Sequence, residues 1–237
     1  MTSPPLTHGR VFAIAGPAML ANLTTPLLGI VATAVIGRLG EAHLLGGVAM
    51  ASVVFDCLFW LFGFLRMSTV ALTAQALGAN DALEMRATLG RGLLLALLCG
   101  AALLLAQAPL TRITFELMGA SGPVTEAASL YFQIRLWSSP LLLANYAVLG
   151  WLIGQARTGW ALAIQITINV INIAATMLFV LVLAQGIAGA AYAAILAEGC
   201  GLVFGLTLAR RMLAGHGFRV PRAVVFDRAR LTRMMAI

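Results

Sequence analysis

The hydrophobic residues of this chain form long, nearly uninterrupted runs, separated by short segments rich in glycine and polar residues. A helix needs about 20 consecutive apolar residues to cross the hydrocarbon core of a bilayer. Six runs reach that length, so the pattern predicts an all-α integral membrane protein with six transmembrane helices. The predicted spans cover 11–37, 44–76, 84–108, 123–154, 159–184 and 188–214.

Proline and glycine positions add detail to these spans. Pro17 and Pro26 lie inside the first span and Pro140 inside the fourth. Because proline removes a backbone hydrogen bond and its ring crowds the preceding turn, each predicts a bend. A bent first span suits either a moving gate or a static packing kink. The small-residue pairs Gly150–Gly154 and Gly201–Gly205 predict close helix packing.

Composition supports the membrane class. Hydrophobic residues make up 61% of the chain, charged residues 10%, and the mean hydropathy is +0.98. The net charge of +7 does not indicate nucleic-acid binding, because the arginines gather at the ends of the spans. The cysteines and histidines fit no metal or redox spacing, so neither a metal site nor a cofactor is predicted. No nucleotide-binding or nucleophile motif indicates an enzyme.

The basic residues, all fifteen of them arginine, are distributed unevenly. Eleven fall on one side of the predicted spans or in the C-terminal tail, and two, Arg38 and Arg112, fall on the other. Because basic residues accumulate on the cytoplasmic side, both termini are predicted to be cytoplasmic, in a cell inner membrane. Residues 1–215 then form a six-helix lobe, and 216–237 an amphipathic segment lying on the cytoplasmic interface.

Five stretches in order along the chain carry a family resemblance. They are PLLGIVATAVIGRLG at 26–40, FLRMSTVALTAQALGA at 64–79, IRLWSSPLLLANYAVLGWLIGQ at 134–155, NVINIAATMLFV at 169–180 and GAAYAAILAE at 189–198. Together they resemble the multidrug and toxic compound extrusion (MATE) family, specifically its DNA-damage-inducible F (DinF-like) branch. The stretch at 64–79 matches that family best.

The resemblance implies a fold of twelve helices in two pseudo-symmetric lobes, with the substrate pathway at their interface. It also implies export of drugs or other small organic compounds in exchange for protons or sodium ions. This chain resembles the first lobe and the start of the inter-lobe linker, so we expect a fragment of a longer protein, or a lobe that pairs with a second one. The alternatives are an uncoupled lobe that does not transport alone and a lipid-precursor flippase, because such flippases share the broader fold.

The chain departs from the family's first-lobe cation site at three positions. The resemblance implies aspartates where this chain has Ala32 and Thr176, and a threonine where it has Ala194. Asn169 and Asn172 remain, but an amide does not carry a proton at neutral pH. These departures call the usual coupling mechanism into question.

Four ionisable residues stand out because they lie well away from the ends of the predicted spans: Asp56, Arg66, Arg135 and Glu198. Such residues are costly in a bilayer, so each one suggests a function. Counting along the helices from the outer side puts Asp56, Arg135 and Glu198 at similar depth. Asn169 and Asn172 fall in or near the same layer, and the whole cluster could bind a proton or a cation.

Asp56 is the leading candidate to replace the missing carboxylates as coupling group. Removal from water favours the neutral form of a carboxylic acid, so such a group can exchange protons. The alternative is an ion pair with Arg135 that only holds helices together. Glu198 is open to the same two interpretations, coupling or structural contact. Arg66 is interpreted as a structural cation that pairs with a carboxylate or with backbone carbonyls, or that extends to the interface, rather than as a substrate contact.

Overall fold

The computed structural model describes residues 31–38, 40–119 and 121–213, together with Gly16, Met19, Arg230, Thr232 and Met234. Residues 31–37 are helical, and most of the first predicted span lies outside the described residues. Within the described ranges the chain forms helices and no strand. The helices are α1 (Ala42–Trp60), α2 (Gly63–Gly78), α3 (Ala82–Leu105), α4 (Gln107–Met118), α5 (Gly122–Leu136), α6 (Ser139–Gly154), α7 (Thr158–Thr176), a π-helical segment (Met177–Val182) and α8 (Gly186–Leu213).

The described helices account for five of the six predicted spans. By length and composition, four stretches can cross a bilayer: Ala42–Gly78, which joins α1 and α2, then α3, α7 with its π-helical segment, and α8. The helices α5 and α6 form a fifth, bent by 54° where they meet. The predicted all-helical membrane fold is therefore confirmed for the part of the chain that the structure describes, and the first span stays a prediction.

The bend between α5 and α6 falls directly before Pro140, as the sequence predicts. Pro140 is the second residue of α6, a position where the missing N–H loses no helical hydrogen bond. The hydroxyl of Ser138 donates to the carbonyl oxygen of Arg135 at 2.7 Å, which satisfies one group at the break. On the other side α3 packs against the bend through Gly100, where a methyl group would lie 2.6 Å from the Pro140 Cα atom.

One helix was not predicted. The helix α4 lies between the third and fourth predicted spans and is too short to cross a bilayer. It is amphipathic: Phe115 is buried and packs edge-on against Phe132 of α5, with ring centroids 5.5 Å apart, while Arg112 and Glu116 form an exposed ion pair. This segment lies against α5 instead of prolonging a span.

The small-residue pairs lie at close helix contacts, which confirms their predicted role. On α6, a methyl group at Gly150 would lie 2.7 Å from the carbonyl oxygen of Arg66, and one at Gly154 would lie 2.7 Å from that of Val70, both on α2. Within a bilayer, lipid chains are as apolar as the helices, so association depends on such tight packing.

We expect Gly201→Ala to destabilise the lobe and Gly199→Ala, in the same helix, to leave it unchanged or slightly more stable. A methyl group at Gly201 would overlap the side chain of Ile168, whereas at Gly199 its nearest contact is Leu141 Cδ1 at 3.8 Å. Overpacking costs about 1–3 kcal/mol, while alanine gains up to about 1 kcal/mol over glycine in a helix. Thermal unfolding of the purified chain in detergent compares the two variants, and equal midpoints would contradict the packing argument.

Candidate transport cavity

A polar cavity of about 320 Å³ opens between α1, α2, α5, α6, α7 and α8. Its wall combines charged and amide side chains with aromatic and aliphatic ones. The polar lining consists of Asp56, Arg66, Arg135, Ser138, Asn145, Tyr146, Gln165, Asn169, Asn172 and Glu198. The apolar lining consists of Phe55, Phe59, Trp60, Leu142, Leu149, Ile168 and Ala194. The structure thus brings all four predicted intramembrane charges to one cavity, together with Asn169 and Asn172 of α7.

Arg135 of α5 is held by aromatic side chains. Its guanidinium carbon lies 4.2 Å from the ring centroid of Phe55 on α1, a cation–π contact, and its Nη1 donates to the Tyr131 hydroxyl at 2.9 Å. Among the described residues, Asp56 forms no ion pair with Arg135 or with any other cation. The exposed side chain of Asp56 is therefore not neutralised by a fixed arginine within this part of the chain.

Glu198 of α8 is held by an amide that sequence reasoning missed. The Nδ2 group of Asn145 on α6 donates to Glu198 Oε2 at 2.7 Å and to the Glu198 backbone carbonyl oxygen at 3.0 Å. Asn145 stands in the apolar run LLLANYAVLG, where a single amide is itself a signal of an interhelical hydrogen bond. Its partner, however, is 53 residues away, and nothing local in the sequence identifies it.

The amides of α7 bond within their own helix. Gln165 Nε2 donates to Asn169 Oδ1 at 3.2 Å, and Thr176 Oγ1 donates to Asn172 Oδ1 at 3.4 Å. Of the three positions that depart from the family's cation site, Ala194 lines the cavity, Thr176 is buried beside Asn172, and Ala32 is half-buried in the helical residues 31–37. The cavity's carboxylates, Asp56 and Glu198, therefore stand at other positions than those the resemblance implies.

A second polar cluster occupies the opposite part of the lobe, where α2 turns into α3. The Nη2 atom of Arg91 donates to both carboxylate oxygens of Glu84, at 2.9 and 2.8 Å, and Arg230 of the tail also pairs with Glu84. The distribution of arginines along the chain groups Arg91 with the eleven predicted to lie on the cytoplasmic side, yet its side chain is fully buried in the lobe. Met234 is buried too, and its Cε lies within 3.4 Å of a methyl group placed at Gly92.

Comparison with known proteins identifies the family. The MatE family model matches residues 17–178, about two thirds of the chain. The chain belongs to the MatE family. Among curated relatives of this MatE chain, the DNA damage-inducible protein F of Escherichia coli is 38% identical over 224 residues, which is 94% of this chain and 49% of that protein. A probable multidrug resistance protein NorM of Deinococcus radiodurans is 33% identical over 158 residues, which is 65% of this chain and 34% of that protein.

Solved MATE structures share the fold. An outward-facing multidrug resistance MATE transporter of the MOP superfamily superposes with a TM-score of 0.83 at 22% identity, over 96% of this chain and 50% of that one. A MOP-superfamily transporter of Pyrococcus furiosus gives 0.80 at 22% identity, over 95% and 50% of the two chains. This MatE chain therefore has the fold of one lobe of a MATE transporter, and it spans about half the length of these relatives.

Proposed function

We propose that this chain forms one lobe of a secondary active exporter of drugs or other small organic compounds, driven by protons or sodium ions. The observation that carries the proposal is the composition of the cavity wall: two carboxylates, two guanidinium groups and four amides between apolar helices. Ionisable groups inside a membrane are costly and mark ion or substrate pathways. Half-length matches to transporters support the view that a second lobe completes the pathway.

The proposed location is the cell inner membrane, with both ends of the lobe on the cytoplasmic side. The arginine distribution supports this orientation. In that orientation the cluster around Glu84 faces the cytoplasm, and α4 lies on the outer side. The cavity then lies between these two levels, where alternating access requires the central site to be.

Within the cavity we assign Asp56 and Glu198 as coupling carboxylates, Asn169 and Asn172 as polar ligands, and Arg66 and Arg135 as structural cations. The contacts of Arg135 support its part, because a guanidinium that stacks on Phe55 and bonds Tyr131 already has partners. The surroundings of Asp56 support its part, because an exposed carboxylate without an ion pair among the described residues is available to bind a cation or a cationic substrate.

Efflux measurements test the function. The gene product is expressed in cells that lack their own multidrug pumps, and accumulation of the fluorescent cation ethidium is followed with and without a protonophore. We expect energy-dependent export that collapses with the proton gradient, or with removal of sodium if sodium is the coupling ion. Absence of export under every gradient would favour the alternative of an uncoupled lobe. Export of a fluorescent lipid analogue in place of ethidium would favour a flippase.

Asp56→Asn should abolish gradient-driven export while leaving the protein in the membrane. The substitution keeps the size and polarity of the side chain but removes its ability to ionise. Glu116→Gln on α4 is the matched control, since it makes the same chemical change in an exposed ion pair outside the cavity. Export that is equally fast in both variants would assign Asp56 a structural part only.

A further inference from the structure

We propose that Glu198 is a proton-exchanging group of this lobe, and that Asn145 is the positioning residue that supplies a hydrogen bond to both of its protonation states. This inference rests on the proposed transport function and deepens it, because it selects one carboxylate and adds a residue that the family resemblance does not assign.

The orientation of the Asn145 amide is fixed by its partners. Both atoms that it faces, Glu198 Oε2 and the Glu198 backbone oxygen, are acceptors, so the amide nitrogen has to point toward them. The amide oxygen is consequently turned away. Asn145 is only 2% exposed, and its Oδ1 has no hydrogen-bond partner among the described residues.

An amide oxygen without a donor is costly inside a protein, so its presence beside a carboxylate is informative. The two other asparagines of the cavity use their oxygens, Asn169 for Gln165 and Asn172 for Thr176. Of these three asparagines, Asn145 is the one whose side-chain oxygen accepts no hydrogen bond from the described residues. A half-turn of the side-chain amide would present this oxygen to the O–H of a protonated Glu198, in place of the N–H that now faces Glu198 Oε2.

The charges around Glu198 leave its proton free to exchange. Charged or titratable side chains reach the cavity from α1 as Asp56, from α2 as Arg66, from α5 as Arg135 and from α6 as Tyr146, while α7 contributes only amides. No ion pair to Glu198 is formed within the described residues. Protonation therefore breaks no salt bridge. The half-turn of Asn145 gives up its bonds to Glu198 Oε2 and to the Glu198 backbone oxygen and gains one from the carboxyl O–H, while the backbone oxygen stays within the helix α8.

The transfer step is simple. A hydronium ion on one side of the membrane gives its proton to a lone pair of the carboxylate, so one O–H bond of hydronium breaks as the O–H bond of the carboxyl group forms. The carboxyl O–H bond later breaks as a water molecule on the other side takes the proton and becomes hydronium. No bond between heavy atoms changes. A hard metal ion fits this corner less well, because such ions take about six oxygen ligands, whereas the unused oxygens on these two residues are Glu198 Oε1 and Asn145 Oδ1.

Infrared difference spectroscopy of the purified 237-residue chain tests the inference without any substrate. The carbonyl stretch of a protonated carboxyl group is recorded while the pH is raised. We expect a band that Glu198→Gln removes and that Asp56→Asn, the matched change in the other carboxylate of the cavity, leaves in place. If Asp56→Asn removes the band and Glu198→Gln does not, the inference is overturned.

Substitution of Asn145 provides the second readout. In Asn145→Leu both forms of Glu198 lose a hydrogen bond, but the bond to the charged carboxylate is the stronger of the two. The pH at which the band is half lost should therefore rise by about one unit. Asn145→Asp, which keeps the shape of the side chain, should raise it further and serves if the leucine variant does not fold. An unchanged titration in a folded variant means that Asn145 is merely structural. A sodium-specific loss of the band at fixed pH would assign the site to a metal cation instead.

These measurements separate the two proposals. A normal titration of Glu198 together with no export in the efflux assay would overturn the transport function and leave the proton site standing. Export that persists while the Glu198 band is absent would overturn the proton site alone.

Discussion

Replacing Glu84 by alanine should destabilise the lobe severely, by about 3–5 kcal/mol. Arg91 is fully buried, and one of its nitrogens donates to both oxygens of the Glu84 carboxylate. Removal of that carboxylate takes from a fully buried guanidinium the counter-charge that accepts two of its hydrogen bonds, and breaking a buried pair on one side costs far more than an ordinary surface ion pair is worth. The same change removes the ion pair between Arg230 and this carboxylate.

Thermal unfolding in detergent and the yield of folded protein measure this effect. Arg112→Ala is the control, because it breaks an exposed ion pair with Glu116 that is worth about 0–1 kcal/mol. The double variant Glu84→Leu with Arg91→Met should recover most of the lost stability, since it removes the buried guanidinium together with its carboxylate partner. If the double variant is as unstable as Glu84→Ala, the burial of Arg91 is not the cause.

Arg91 also illustrates what the sequence could and could not predict. The arginine distribution predicts that it lies on the cytoplasmic side. Its partner Glu84 stands seven residues earlier on the same face of α3, and the sequence shows that spacing. The sequence does not show that α2 and α6 cover this face of α3 and bury Arg91, because that depends on tertiary packing.

The intramembrane charges were predictable for a different reason. A charged residue stands out in an apolar run, and counting residues along nearly straight helices gives its depth. The partners were not predictable in the same way. Arg135 lies at the same depth as Asp56. It nevertheless stacks on Phe55, the residue before Asp56 on α1, because the Phe55 ring is the side chain that faces α5. Depth is a property of one helix, whereas pairing depends on how two helices are rotated.

The sequence did not predict the short helix α4 or the role of Asn145, because each leaves only a weak mark on the hydropathy pattern. A twelve-residue amphipathic segment falls below the length that identifies a span, and a single asparagine does not interrupt a hydropathy profile. The amphipathic segment predicted for residues 216–237 stays a prediction. Within that range the structure describes Arg230, Thr232 and Met234.

Gly100→Ala should destabilise the lobe by about 3 kcal/mol and change the shape of the cavity. A methyl group at Gly100 would lie 2.6 Å from Cα and 2.8 Å from N of Pro140, and these backbone atoms cannot rotate away as a flexible side chain could. The only relief is for α3 to move away from the bend of α5 and α6. Arg135 lies before that bend and Asn145 after it, and both line the cavity. A change in the bend would therefore shift cavity residues on α5 and on α6.

Gly46→Ala in α1 is the control for this substitution. It makes the same change in the interior of a span, where the nearest contacts of the new methyl group are Val124 side-chain atoms at an ordinary 3.7 Å. We expect Gly46→Ala to unfold at or above the temperature of the unmodified chain, because alanine favours a helix over glycine. Gly100→Ala should unfold well below it, and a spin label on each of α3 and α6 should report a larger separation of the two helices. An unchanged separation together with normal stability would show that the proline bend is not braced by α3, and that the cavity keeps its form through α5 and α6 alone.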